Sequence, residues 1–159
     1  MKAIRKFLAL EPRDQLLVLE AWFCLGVSRV ALLGIPFRII APRLGRQLAP
    51  DDMLTISESA SPSARRIGSA VERMARHTPW NSTCLTQTIA GKFMLRRRGV
   101  SSRLYLGTRK DESGRLLAHS WLLVGNEILI GGSGHETFTA LSSFAEERTP
   151  EARAGRQTP

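Results

Sequence analysis

A chain of 159 residues, 43% hydrophobic and 23% charged, is long enough for one domain with a real core and is not disordered in composition. Its formal net charge of +9 suggests nucleic acid, but the basic residues are spread over several predicted elements, aromatic residues make up only 6%, and no nucleic-acid motif occurs. An acidic peptide or protein fits the charge as well, and we expect no nucleic-acid partner. Cys24 and Cys84 lack metal-type spacing. A disulfide framework is therefore not expected, and neither is a metal or cofactor; a reducing, cytoplasmic setting is.

In chain order, the first seven residues are basic, but no small-residue cleavage site follows, so no signal peptide is expected. Residues 16–37 are the most apolar stretch; Glu20, Arg29 and Pro36 within it argue against stable membrane insertion. Leu16, Leu19, Phe23, Val27 and Val30 recur at helical spacing, while Leu17, Trp22, Leu25 and Leu32 widen the arc. An arc this broad means a helix packed on two sides, or one packed on one side with the surplus around Leu17, Trp22 and Leu25 exposed to a partner. Pro36, Pro42 and Gly45 predict a short helix and a bend. Residues 49–63, rich in Pro, Ser, Asp and Thr, read as a linker. A helix over 64–77 should bury Ile67, Val71 and Met74 and leave Arg65, Arg66, Arg73 and Arg76 solvated.

After Pro79 and Trp80, the residues Asn81, Ser82 and Thr83 can each cap a helix over about 83–98, with Leu85, Ile89, Phe93 and Met94 at apolar positions. Arg96, Arg97 and Arg98 suit its C-terminal end and Gly99 stops it. Cys84 thus stands at the positive end, where helices favour the thiolate that attacks carbonyls, and where free backbone N–H groups are natural oxyanion donors. Strands are expected over 102–107, 116–124 and 127–130, with a charged turn at 108–115 and a tight turn at Gly125-Asn126. His119 falls on the second strand, one helix and one strand after Cys84. His77 precedes the Pro79 turn and His135 lies in a loop, so both rank behind it. Residues 137–145 fit either a strand or a helix, and 146–159 read as a disordered tail.

Together, Cys84-Leu85 at a helix start, Arg97-Arg98-Gly99-Val100 at its end, Leu104 to Gly107, and Ala118-His119-Ser120-Trp121 resemble the transglutaminase-like cysteine proteases of lasso peptide biosynthesis. These are the B proteins that cut the leader from the precursor peptide. The matched segments cover roughly a third of the chain. Glu11-Pro12-Arg13-Asp14, followed by the apolar helix, resembles the start of the separately encoded protease of split systems. The resemblance implies an α+β fold. A helical N-terminal region, 1–78, would pack on a papain/transglutaminase-like core, 79–145, in which the nucleophile helix lies on a small antiparallel sheet. It implies Cys84 as nucleophile and His119 as its base. Oxyanion support would come from the Cys84 N–H and a second, upstream donor, Trp80 or Asn81. Residues 1–78 carry no β-ribbon pattern for the leader-binding winged helix of fused members. A separate leader-recognition protein is therefore implied as partner, with an ATP-dependent macrolactam cyclase acting next; no ATP-binding loop occurs in this chain.

One departure is clear. The family usually has an Asp twelve residues beyond the His, and here that position is Gly131. A backbone carbonyl, or a substitute carboxylate from Glu127 or Glu136, are the alternatives for orienting the imidazole. A regular hairpin would set His119 opposite Gly132 and leave Glu127 far along the ladder. Two rival functions stand beside the peptidase: a thiol-dependent acyl transferase of transglutaminase type, and a basic binding protein with an inert, buried Cys84. If a partner docks away from the N-terminal helix, the exposed edge of the 102–107 strand is the other expected surface.

Overall fold

The computed structural model describes residues 11–50 and 59–146. The basic first ten residues, most of the predicted linker and all of the predicted tail except Glu146 lie outside them.

Helix α1 (Pro12–Gly34) starts at a proline, with Asp14 in its first turn, both suited to a helix N-terminus. Its inward face is Ala21, Leu25 and Ser28, flanked by Leu17, Cys24, Ala31 and Leu32. The expected surplus arc is corrected in part: Leu25 is fully buried and Leu17 half-buried, Trp22 is exposed, and the outward stripe also carries Leu16, Phe23 and Val30, 68%, 63% and 70% exposed. Small residues, Ala21 and Ser28, sit where two other helices come close, which turns the large side chains of the opposite stripe outward. By length and composition alone α1 could cross a membrane. A short helix α2 (Phe37–Ile40) runs into a 3-10 turn (Ala41–Leu44) and then an unexpected strand, β1 (Arg46–Leu48).

Helix α3 (Pro62–Ala75) is capped by Ser61, whose hydroxyl accepts from the Ala64 N–H at 3.2 Å, and it buries Ile67, Gly68 and Val71. Helix α4 (Cys84–Arg97) is the central element, packed on α1, α3 and the sheet. It buries Ile89, Ala90, Gly91, Met94 and Leu95. It also buries Lys92, whose ammonium is held by the Ser102 carbonyl at 2.8 Å and the Glu146 carboxylate at 2.9 Å. Burial pushes the Lys92 ammonium below its ordinary value, against the pull of Glu146.

The sheet has five antiparallel strands in the order β1-β5-β2-β3-β4, from β2 (Arg103–Lys110), β3 (Leu116–Val124), β4 (Glu127–Ile130) and β5 (Thr139–Ala145) in addition to β1. The ambiguous 137–145 segment is the end of a 3-10 turn (His135–Thr137) and then β5. Because β5 pairs with β2, the expected free edge at 102–107 does not exist. Strand β2 also runs past the predicted boundary. Thr108, Arg109 and Lys110 pair with Ala118, Leu117 and Leu116, confining the turn to the Asp111–Arg115 loop, where the Asp111 carboxylate accepts from Ser113 and Arg115 N–H.

The β3–β4 hairpin turns at Gly125-Asn126 as expected, with Val124 paired to Glu127, but it does not stay regular. Leu123 pairs with Ile128 and Leu122 with Ile130, so Leu129 is an extra residue on β4. The bulge packs on α3 where Gly68 has no side chain; a Cβ there would lie 2.6 Å from the Leu129 carbonyl oxygen. The slip carries the residues after Leu129 one place along, so the expected pairing of His119 with Gly132 is replaced by contact of Gly131 with the Ser120–Trp121 backbone.

Candidate active site

The approach to α4 is tied down by short polar side chains. The Thr78 hydroxyl lies 2.9 Å from the Ser82 hydroxyl and 3.0 Å from the Trp80 carbonyl. Gln87 donates back to the Ser82 carbonyl at 2.8 Å. Of the three candidate caps, Thr83 is the one used: its hydroxyl accepts from the Thr86 N–H, and its carbonyl accepts from the Gln87 N–H. Cys84 is therefore the first helical residue, half-buried, and its own N–H has no acceptor among the described residues. That arrangement leaves a thiol and an unspent N–H together at the positive end of a 14-residue helix. Upstream, the Trp80 ring rests against Gly26 of α1 and 5.3 Å from the Trp22 ring. The two flank an open apolar groove of about 910 Å³, lined also by Phe23, Val27 and Asn81. The buried Trp80 Nε1 has no hydrogen-bond partner among the described residues.

The other cysteine differs. Cys24 is half-buried on α1, and burial, with Glu20 beside it, pushes its thiol up, away from the reactive thiolate.

Strand β3 meets α4 through alternate residues. The Thr88 hydroxyl, one turn after Cys84, is 3.1 Å from the Ser120 hydroxyl, and both are buried. A side chain on Gly91 would collide with Leu122 and Ile130. Helix and strand thus run side by side, and the N-terminal end of α4 lies toward the start of β3. His119, next to Ser120, points to the opposite face. There its ring is 4.9 Å from Phe138 and 6.0 Å from Trp121. Trp121 in turn stacks on Tyr105 at 5.5 Å and has His135 at 5.9 Å. Among the described residues, no hydrogen bond joins the Cys84 thiol to the His119 ring. The structure does not bring the two together: Cys84 starts the helix that packs on one face of β3, and the His119 ring lies on the other.

What orients His119 is the Gly131 carbonyl, 2.9 Å from Nε2. A carbonyl only accepts, so Nε2 carries a proton, and in the neutral ring Nδ1 is the bare nitrogen. Gly131 has φ +74°, and a Cβ on it would strike the Ser120 carbonyl oxygen and sit 3.2 Å from the Trp121 Cα. In this conformation an Asp has no room at 131, and the backbone does the orienting. The two substitute carboxylates are engaged elsewhere. Glu127 forms a bidentate bond to Arg65 at 2.9 Å, which holds its carboxyl below the usual range, and Glu136, 69% exposed, lies 3.1 Å from His135. His77 bonds the Arg73 carbonyl on the helix surface. The Phe138 ring, the Thr88–Ser120 pair and Glu72, which binds the Gly131 N–H at 3.1 Å, escaped the sequence reading. The bulge that gives Glu72 and Gly131 their places leaves no mark in a single sequence beyond Gly131-Gly132.

Among the described residues no group of His, Cys, Asp and Glu could hold a metal ion. A family model described as the transglutaminase-like superfamily matches residues 31–143. No curated protein matches the chain, and neither does any solved structure.

Proposed function

The chain belongs to the transglutaminase-like superfamily, and on that premise we propose that it is a cysteine peptidase that removes the leader from a ribosomally made precursor peptide in lasso peptide maturation. The observation that carries this reading is the thiol with an unspent N–H at the capped start of α4; His119, whose Nε2–H is spent on Gly131, is the base this reading assigns to it. In the proposed cycle substrate binding first turns the His119 ring toward the start of α4; Nδ1 then takes the Cys84 proton and the thiolate attacks the scissile carbonyl. The Cys84 N–H, with a second donor from Trp80 or Asn81, receives the oxyanion. His119 then protonates the leaving amine, and water, activated by the same nitrogen, hydrolyses the thioester. No cofactor enters. A separate leader-recognition protein delivers the peptide and an ATP-dependent cyclase closes the product. The reducing cytoplasm keeps the thiol free.

The test is cleavage of a leader–core precursor followed by mass spectrometry, with and without the leader-recognition protein. Wild type should yield leader and core, and the partner should raise the rate most at low precursor concentration, as effective concentration requires. Cys84→Ala should lose at least about a thousandfold in kcat, while Cys24→Ala should cleave near the wild-type rate. Cleavage retained by folded Cys84→Ala would remove the reading. Amide products formed in preference to hydrolysis when a primary amine is added would move the assignment to acyl transfer.

A further inference from the structure

Helix α3 runs along β4 in a matched stride. Arg65 binds Glu127, Gly68 sits on the Leu129 backbone, and Glu72 reaches the Gly131 N–H. A turn of helix advances about 5–6 Å and two strand residues about 6.6 Å, so each turn of α3 meets every second residue of β4. The stride places a carboxylate at the residue whose carbonyl orients His119.

We infer that Glu72 is the positioning residue for His119, acting through the backbone of Gly131. The inference deepens the peptidase reading and rests on it. Gly131 is in the left-handed region beyond a bulge, past the last paired residue of β4. A glycine there can rotate either flanking peptide freely. One bond fixes each side: Glu72 Oε1 accepts from the N–H at 3.1 Å, and His119 Nε2–H donates to the C=O at 2.9 Å. Without the first, the carbonyl is free to turn off the imidazole, and the ring loses the contact that keeps Nδ1 bare. In a chain of net charge +9, with Arg65, Arg66 and Arg73 on the same helix, Glu72 forms no ion pair among the described residues. Its bond to Gly131 is charge-assisted, stronger than a neutral acceptor would give.

The experiment uses the full chain and p-nitrophenyl acetate, which reports thiol acylation whatever the natural peptide. It is paired with ¹⁵N NMR of the histidine rings. In wild type the His119 ring should show the single Nε2–H tautomer. Glu72→Ala should show a mixture of tautomers, with kcat down about 10–100-fold, part of what a positioned base contributes, and KM nearly unchanged. Glu72→Asp, one methylene short of the N–H, should fall with it and serves if the alanine variant does not fold. Glu72→Gln, whose amide oxygen still accepts from Gly131, should recover the tautomer and most of kcat. A wild-type tautomer and kcat in folded Glu72→Ala, or a glutamine variant as impaired as alanine, would overturn the inference. If wild type proves inert toward ester and peptide, the peptidase reading fails on its own, and the tautomer spectra still decide whether Glu72 positions the ring.

Discussion

The two faces of β3 are built by different rules. Toward α4 it presents Ser120, Leu122 and Val124, none more than 5% exposed, packed among aliphatic side chains with one polar pair, Thr88–Ser120. Away from α4 it presents His119 and Trp121, covered by rings: Tyr105, Phe138 and His135. The inner face is fitted by volume, and Gly91 is needed there so that the helix can approach. The outer face is fitted by edges, with ring nitrogens directed at backbone carbonyls, His119 to Gly131 and His135 to Gly132. A period of two therefore separates what holds the fold from what poises the imidazole. Damage to one face should be felt as lost stability, and damage to the other as lost turnover.

The sharpest attempt to break that division is at Gly131. Gly131→Ala forces a Cβ onto the Ser120 carbonyl and a side chain into the left-handed region, at a cost of about 1–3 kcal/mol. Because the carbonyl that orients His119 belongs to the same residue, kcat should fall about a hundredfold or more, far beyond what the stability loss explains at a temperature where the variant stays folded. Gly131→Asp, which restores the carboxylate that the resemblance leads one to expect, should do no better than alanine. Circular dichroism with ester turnover checks both; an Asp variant more active than wild type would mean that the backbone is not the orienting group.

How much could be read without coordinates follows the same division. The helix around Cys84 was legible because its signals are local: a threonine cap, apolar residues at helical spacing, and arginines before Gly99. The hairpin was legible from Gly125-Asn126 between apolar runs. The bulge was not, because Leu129 is displaced by contact with Gly68, far away in sequence. From that one slip follow the misplaced partner of His119 and the unnoticed Glu72. The orientation of α1 was ambiguous for a related reason. Both of its stripes are apolar, and only the positions of α3 and α4 decide that Ala21, Leu25 and Ser28 go inside. Strand β5 was undecidable locally, since its pairing with β1 and β2 is what selects strand over helix.

The inner face is probed at Thr88. Thr88→Val keeps the volume but leaves the fully enclosed Ser120 hydroxyl without its partner, which should cost about 1–3 kcal/mol in urea denaturation. Adding Ser120→Ala removes the orphan, so the double variant should be more stable than the sum of the single losses. Turnover at low temperature should change less than in Gly131→Ala. If Thr88→Val instead lost turnover without stability, the inner face would be part of the chemistry and the division by parity would fail.

The smallest effect is expected at the end of α4 remote from Cys84, where α1 is clamped to it. The Glu20 carboxylate binds Arg98 at 2.5 Å and Arg97 at 3.0 Å. The hydrogen bond from Arg98, with the charge of both arginines, holds the carboxyl below its ordinary value of 4.5 against a smaller cost of burial. A carboxyl depressed in the folded state binds its proton more tightly when unfolded. Its contribution is therefore complete above the unfolded value and is lost as pH falls through the folded one. Both arginines are partly exposed, so the clamp contributes about 1 kcal/mol or less. Glu20→Gln should be slightly less stable than wild type at neutral pH, and the gap should close as the carboxyl is titrated and shrink in high salt. Turnover should be unchanged, because the clamp touches neither face of β3. A stability gap that persisted in acid would show that Glu20 acts by packing rather than by charge.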